Sequence, residues 1–229
     1  MKAVKWLYVD WNIPFRLISE EMLSYQFSKE RNDGFILSRN VRDTIEGKFI
    51  QKIIIKDKIQ DPYGEIISSN RINYNIVSFI LSKKHDFPSI ELNNPPRLLR
   101  PFLNKITEFS NLDMTVTDIH TDPIKWLGYL EKKIGSTKVN YIECSGINVA
   151  NKGTAKVIFR SAQDIRNGIP DILGKKKYII DRIRCSFITP KYKGNVELSK
   201  NGSIKITENC EKFMLPLLRK SIGYASDTK

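Results

Sequence analysis

Asp113, Asp118, His120 and Asp122 form the one group in this 229-residue chain whose residue types and spacing could carry catalysis. Aspartate and histidine together can hold a divalent ion, and Asp118-Ile119-His120-Thr121-Asp122 alternates polar side chains as a strand end would. A metal beside a basic groove would suit phosphodiester cleavage, activating water and neutralising charge on the phosphate. Two facts weigh against this. Asp122 stands where it would cap the next helix, and alternating residues need not face one ion. Asp118, His120 and Asp122 are therefore the secondary reading. No cofactor is expected, and the chain reads as a binding protein before it reads as an enzyme.

The stronger chemical signal is cationic. The chain has 38 Lys and Arg against 25 Asp and Glu, a formal net charge of +13, which draws a protein to polyanions. The densest basic segment is Lys175-Lys176-Lys177-Tyr178. Arg182 and Arg184 follow on one side of a predicted strand, and Lys191-Tyr192-Lys193 follows in the next turn. These cations are expected to converge on one surface, because phosphate affinity comes from several Lys or Arg displacing counterions together. Tyr178 and Tyr192 would add stacking on unpaired bases. The competing reading is a solvated β face whose charges discourage aggregation. Arg97 and Arg100, with Lys105, give a second patch beside Asn94-Pro95-Pro96, where a helix N-terminus would present amide donors to phosphate.

Missing motifs narrow the classes. The chain has no Gly-x-x-x-x-Gly-Lys-Ser/Thr loop, no Gly-x-Gly-x-x-Gly after a strand and no Gly-x-Ser-x-Gly elbow. Zinc-finger spacing, the aromatic motifs of sheet-type RNA readers and a basic-region zipper are also absent. The composition thus points to a nucleic-acid-binding protein that contacts phosphates with little sequence preference, DNA or RNA being left open. The alternative is an interaction subunit of a larger microbial assembly, with Trp6, Tyr8, Trp11 and Phe15 as partly exposed anchors for a protein partner.

Cys144, Cys185 and Cys210 stand far apart and odd in number, which fits a reducing compartment. No apolar run reaches the ~18–20 residues of a membrane span, and no secretory leader is read at the start, so a cytoplasmic location is expected. Abundant Ile, Lys and Asn is the skew of an AT-rich microbial coding sequence.

The elements needed to position these residues read as an α+β fold, a mostly antiparallel sheet with packed helices. The expected regions are 1–110 and 111–229, which together could make one compact unit. Lys5 to Trp11 reads as a strand, and Ser19 as the cap of a short helix. Lys52, Ile54, Lys56 and Lys58 alternate with Ile53, Ile55 and Ile59, so one strand face is expected to be buried and the other wet. Asp61-Pro62-Tyr63-Gly64 reads as a turn. Asn94-Pro95-Pro96 is expected to open a helix that Pro101 kinks. Asp122, Pro123 and Gly135 bound a second helix. Ser161 and Asp164 are expected to cap a helix ended by Gly174.

On the strand from Tyr178 to Ile188, Ile179, Ile183, Cys185 and Phe187 are expected to face the core. Near the end, a three-residue loop Lys200-Asn201-Gly202 keeps Leu198 opposite Ile204 and Val196 opposite Ile206, whereas a two-residue turn would mix apolar and charged side chains on one face. Leu98 to Lys105 echoes Phe213 to Lys220, each after a short alternating strand, which would fit two similar β-then-helix halves.

Overall fold

The structure is a computed structural model in which residues 1–84, 88–149, 153–174 and 176–226 are described. Among these residues the fold is α+β, with antiparallel strand pairing and five α-helices. The chain divides into two compact units, Met1–Tyr8 with Lys84–Glu91 and Thr117–Lys229, and Val9–Lys83 with Leu92–Val116. No helix among the described residues is long and apolar enough to cross a membrane.

The second unit is built on β2 (Asp33–Val41), β3 (Thr44–Gln60) and β4 (Ile66–Ser82), with α1 (Phe15–Ser24) and α2 (Arg100–Phe109). Its core is aromatic. Phe35, Phe49, Phe79 and Phe102 are all fully buried, and the Phe102 ring lies 6.5, 6.0 and 5.1 Å from those of Phe35, Phe49 and Phe79. Tilted ring pairs at such separations add to the large area each ring removes from water.

Helix α2 begins at Arg100, not at Asn94. Pro101 therefore sits in the first turn, where its missing N–H and fixed φ are tolerated, and it causes no kink. Ser19 lies in the middle of α1 and is buried, its hydroxyl donating to the Arg16 carbonyl, so it caps nothing. The turn at Asp61 forms as read. The Gly64 N–H donates to the Asp61 carbonyl at 3.1 Å, and the Asp61 carboxylate accepts from the Tyr63 and Glu65 N–H groups.

β3 and β4 pair along their whole length, from Thr44↔Ser82 to Gln60↔Ile66. The buried face expected for this ribbon does not extend to its tip. Ile53 and Ile55 are half-buried and Ile59 is exposed, because β2 stops pairing with β3 at Gln51 and the ribbon runs on past the strand that would extend its covered face.

The first unit contains the order β1-β11-β10-β9-β7-β8, all antiparallel. These are β1 (Lys2–Trp11), β11 (Ser203–Ile206), β10 (Lys193–Ser199), β9 (Ile179–Ile188), β7 (Thr137–Asn148) and β8 (Thr154–Arg160). One face is apolar and packs under α3 (Pro123–Ile134) and α5 (Glu211–Ala225), with Trp6, Trp126, Ile183, Cys185, Val196, Leu198 and Leu218 in one cluster. Both tryptophans are hydrogen-bonded as buried indoles require: Trp126 Nε1 donates to Ser221 Oγ at 2.7 Å, and Trp6 Nε1 donates to Glu91 Oε2 at 2.9 Å. The boundaries of α3 match the sequence reading. Asp122 accepts from the Ile124 and Lys125 N–H groups, and Gly135 ends the helix at φ 86°.

Two local expectations fail in this unit. Ser161 and Asp164 form short hydrogen-bonded turns onto Gln163 and Arg166, and a 3-10 turn then leads to only a five-residue α4 (Ile169–Leu173). Ile179 is 55% exposed, because a register shift between Glu143 and Cys144 moves the start of β9 out of the alternation that buries Ile183 and Cys185.

The last hairpin has the register set by its apolar pattern, Val196↔Ile206 and Leu198↔Ile204. Gly202 closes its loop at φ 70°, and a Cβ there would lie 3.1 Å from Ile119 Cβ and 3.2 Å from the Trp6 carbonyl oxygen. Gly202→Ala should cost about 1–2 kcal/mol from left-handed strain alone. Chemical denaturation reads this directly, and a stability equal to that of the native chain would contradict the assigned loop.

Candidate nucleic-acid interface

Alternation along β8, β9, β10 and β11 sends every second side chain away from the apolar face under α3 and α5. Cross-strand register then lines these side chains into a row, Lys205↔Glu197, Glu197↔Arg184, Arg184↔Tyr141 and Tyr141↔Arg160. A neighbouring row runs Ser199↔Arg182, Arg182↔Glu143 and Glu143↔Ile158, with Lys156 two residues along β8. The five cations Lys156, Arg160, Arg182, Arg184 and Lys205 outnumber the two carboxylates Glu143 and Glu197 by three.

The two signs differ in depth. Glu197 is 2% exposed, whereas Arg182, Arg184 and Lys205 around it are 39%, 42% and 47% exposed. Its carboxylate takes Arg184 Nη2 at 2.8 Å, Lys205 Nζ at 3.2 Å and Arg182 Nη1 at 3.5 Å. Glu143 is likewise nearly covered, with Lys156 as an ion-pair partner, Arg182 at 3.9 Å and the Tyr141 hydroxyl donating to Oε2 at 2.8 Å. Between the rows, the Arg184 and Arg160 guanidinium groups lie 5.4 and 5.6 Å from the Tyr141 ring centroid, within cation–π range. A ligand approaching this face meets cations and an aromatic edge, while the acids lie beneath and fix them in place.

The pKa shifts follow from this layering. Burial alone would raise the Glu197 carboxyl, but hydrogen bonds from Arg184 and Lys205 and the charges of Lys205 and Arg182 outweigh it and hold the group below its ordinary 4.5. Glu143 is lowered first by its hydrogen bond with Lys156, with Tyr141 and Arg182 adding to the effect against burial. Burial and the bond to Glu143 push the Tyr141 phenol up, so it remains a donor at neutral pH.

A carboxyl whose folded pKa is depressed contributes stability above its unfolded pKa and loses it as pH falls through the folded value. The melting temperature should therefore decline as pH drops below about 4.5, the ordinary glutamate value. Glu197→Gln should melt lower at pH 7 and show a shallower acid decline. Parallel acid profiles for the two proteins would refute the coupling.

The sequence-predicted residues are placed unevenly. Arg182 and Arg184 lie at the centre of the face. Lys176 and Lys177 are exposed before β9, and Lys191 and Lys193 are exposed beyond its other end. The ten residues of β9 at ~3.3 Å each separate these two lysine groups by about 30 Å, so they flank the face rather than converge. Lys175 lies outside the described residues.

The two stacking tyrosines are engaged elsewhere. Tyr192 stacks on Phe213 at 5.0 Å with 14° between planes, and Tyr178 is half-buried against the core. Arg97 and Arg100 are exposed in the second unit, and Arg97 precedes α2 without joining it.

Asp118, His120 and Asp122 do not converge as ligands. Asp118 pairs with Lys5 at 2.8 Å and Asp122 caps α3. His120 lines a cavity of about 360 Å³ with Thr121, Asp122, Tyr178 and Lys200. Among the described residues no three His, Cys, Asp or Glu side chains are grouped to hold a metal. Of the proposed protein anchors, Trp6 and Phe15 are buried, Trp11 packs edge-on against Phe15 at 5.3 Å, and only Tyr8 is exposed. The three cysteines are buried free thiols, with Cys185 pushed up to about 12 by burial.

Lys156, Arg160, Lys205 and Tyr141 complete the face and were missed in the sequence. Their signal was present, since Lys156-Val157-Ile158-Phe159-Arg160 and Ile204-Lys205-Ile206 alternate by the same rule that singled out Arg182 and Arg184. No known family model matches the chain, and no curated protein matches its sequence.

Proposed function

We propose that the chain is a non-catalytic nucleic-acid-binding protein or subunit that lays a phosphate backbone across the β8-β7-β9-β10-β11 face. One observation carries this reading: five cations stand half-exposed over two buried carboxylates on the sheet face opposite α3 and α5. The surplus of cations on this face suits a polyanion in sign. With no base-reading motif in the sequence, contacts should fall on phosphate and sugar with little sequence preference. The flanking Lys176, Lys177, Lys191 and Lys193 lengthen the track. The buried free thiols suit work in a reducing cytoplasm. The succession of β5 (Ile90–Asn93) and α2, and of β11 and α5, favours reading the two β-then-helix segments as copies of one ancestral unit.

The test is fluorescence anisotropy of the full chain against labelled single- and double-stranded DNA and RNA over a salt series. Steep log–log salt dependence that is reduced by changes at Lys156, Arg160 and Lys205 supports the reading and identifies the preferred strand type. Weak binding that is equal for all four ligands and insensitive to those changes would dismiss it.

A further inference from the structure

Beyond Lys52, β3 has no strand partner other than β4 among the described residues, so the pair continues as a two-stranded ribbon to its turn at Asp61. Register sorts its side chains into two unlike faces. One face carries Ile53, Ile55, Asn73 and the Asp57–Arg71 pair, its N···O distance 3.6 Å. The other carries Lys52↔Tyr74, Ile54↔Ile72, Lys56↔Asn70, Lys58↔Ser68 and Gln60↔Ile66, with Ile76 at its base. The larger part of the exposed apolar surface among the described side chains of the ribbon is on this second face, with Ile54 55%, Ile72 52%, Tyr74 48%, Ile76 46% and Ile66 67% exposed against Ile59 at 61% on the first. It holds three lysines and no carboxylate.

We propose that this apolar, lysine-flanked face of the β3–β4 ribbon docks an acidic, apolar-faced segment of a partner protein. An isolated two-stranded ribbon is marginal in water, and a row of exposed isoleucines in monomeric proteins marks a contact surface. Charge then selects the occupant. Lys52, Lys56 and Lys58 call for carboxylates beside the partner's apolar stripe.

A second copy of this chain fits poorly, because an isologous contact would set each lysine row against its own image. Nucleic acid would satisfy the lysines but leave the central Ile54–Ile72 pair without an apolar counterpart. An anionic bilayer would meet Asp61 and Glu65 at the tip first. This surface is separate from the basic sheet face and does not depend on it.

The experiment is an anisotropy titration of the full chain with a labelled amphipathic leucine–glutamate peptide and its leucine–lysine counterpart. The variants are Ile54→Ser with Ile72→Ser, and Lys52, Lys56 and Lys58 all →Gln, each checked for native circular dichroism. The glutamate peptide should bind the native chain, the lysine peptide should not, and each variant should bind the glutamate peptide about tenfold more weakly or worse. Glutamine at Lys156, Arg160 and Lys205 should leave peptide binding unchanged. Equal binding of both peptides, equal binding by native chain and variants, or no saturable binding of the glutamate peptide would overturn the proposal. So would phosphatidylserine vesicles, duplex DNA or self-association that depends on these same ribbon residues while the peptide does not.

Discussion

Replacing Lys156, Arg160 and Lys205 together with glutamine should cut nucleic-acid affinity about 50-fold for a single strand and about 170-fold for a duplex at ~0.15 M salt. The arithmetic follows from counterion release. Each phosphate contact contributes about 0.7 to the log–log salt slope on single strands and about 0.9 on duplexes, so three lost contacts remove about 2.1 or 2.7. Extrapolated from ~1 M, where the electrostatic part vanishes, those slopes give the two fold-changes. Glu143 and Glu197 remain in the variant with fewer partners and add repulsion in the same direction.

The control is Lys125, Lys132 and Lys133 to glutamine, exposed on α3 away from the face. It removes the same total charge. If both variants lose affinity equally, the protein's overall charge and not this face is responsible. A change in slope confined to the first variant locates the contacts.

Phe102→Ala should destabilise the chain by about 3–5 kcal/mol, the usual range for emptying a buried phenylalanine site. The ring is fully buried and stands within 6.5 Å of three other buried phenylalanines, none of which can collapse into the space without leaving its own pairings. Total stabilities are about 5–15 kcal/mol, so the loss would be a large share of the whole. Urea denaturation measures it, and amide exchange should show protection falling first in β2, β3 and β4. Phe102→Leu should recover most of the loss by refilling volume. A midpoint shift worth less than about 1 kcal/mol would mean the aromatic cluster is not the core it resembles.

Local rules of the chain were legible where one residue type has one physical use. Asp122, Pro123 and Gly135 bounded α3 because a cap, a pre-set φ and a left-handed exit each leave a distinct mark. The Lys200-Asn201-Gly202 loop followed from apolar alternation alone, since a one-residue slip would have moved Leu198 and Val196 to the wrong face.

What was not legible depended on context. Ile53, Ile55 and Ile59 have the pattern of a half-buried strand, yet burial requires something to lie beneath, and pattern does not say where a covering element ends. Pro101 reads as a kink or as a first-turn residue depending on where α2 begins, and Asn94-Pro95-Pro96 is as good a loop as a start. At the site, Arg182 and Arg184 came from alternation within one strand. Lys156, Arg160 and Lys205 needed strand order and register, which alternation does not supply. Tyr178 and Tyr192 lie between lysines in sequence, but their rings pack on the nearest apolar surface.

The burial of Glu197 beneath Arg182, Arg184 and Lys205 also bears on how quickly a ligand can be taken up. Long cationic side chains ordinarily lose rotamer freedom when a phosphate captures them, and that loss slows tight docking. Here the carboxylate has already held them in place, so much of the ordering cost falls in folding rather than in the encounter. Under the proposed function, arrival of a phosphate backbone would be a local exchange of partners around a fixed charge. Association should proceed near the rate that electrostatic steering permits, and differences between ligands should lie in how slowly they leave.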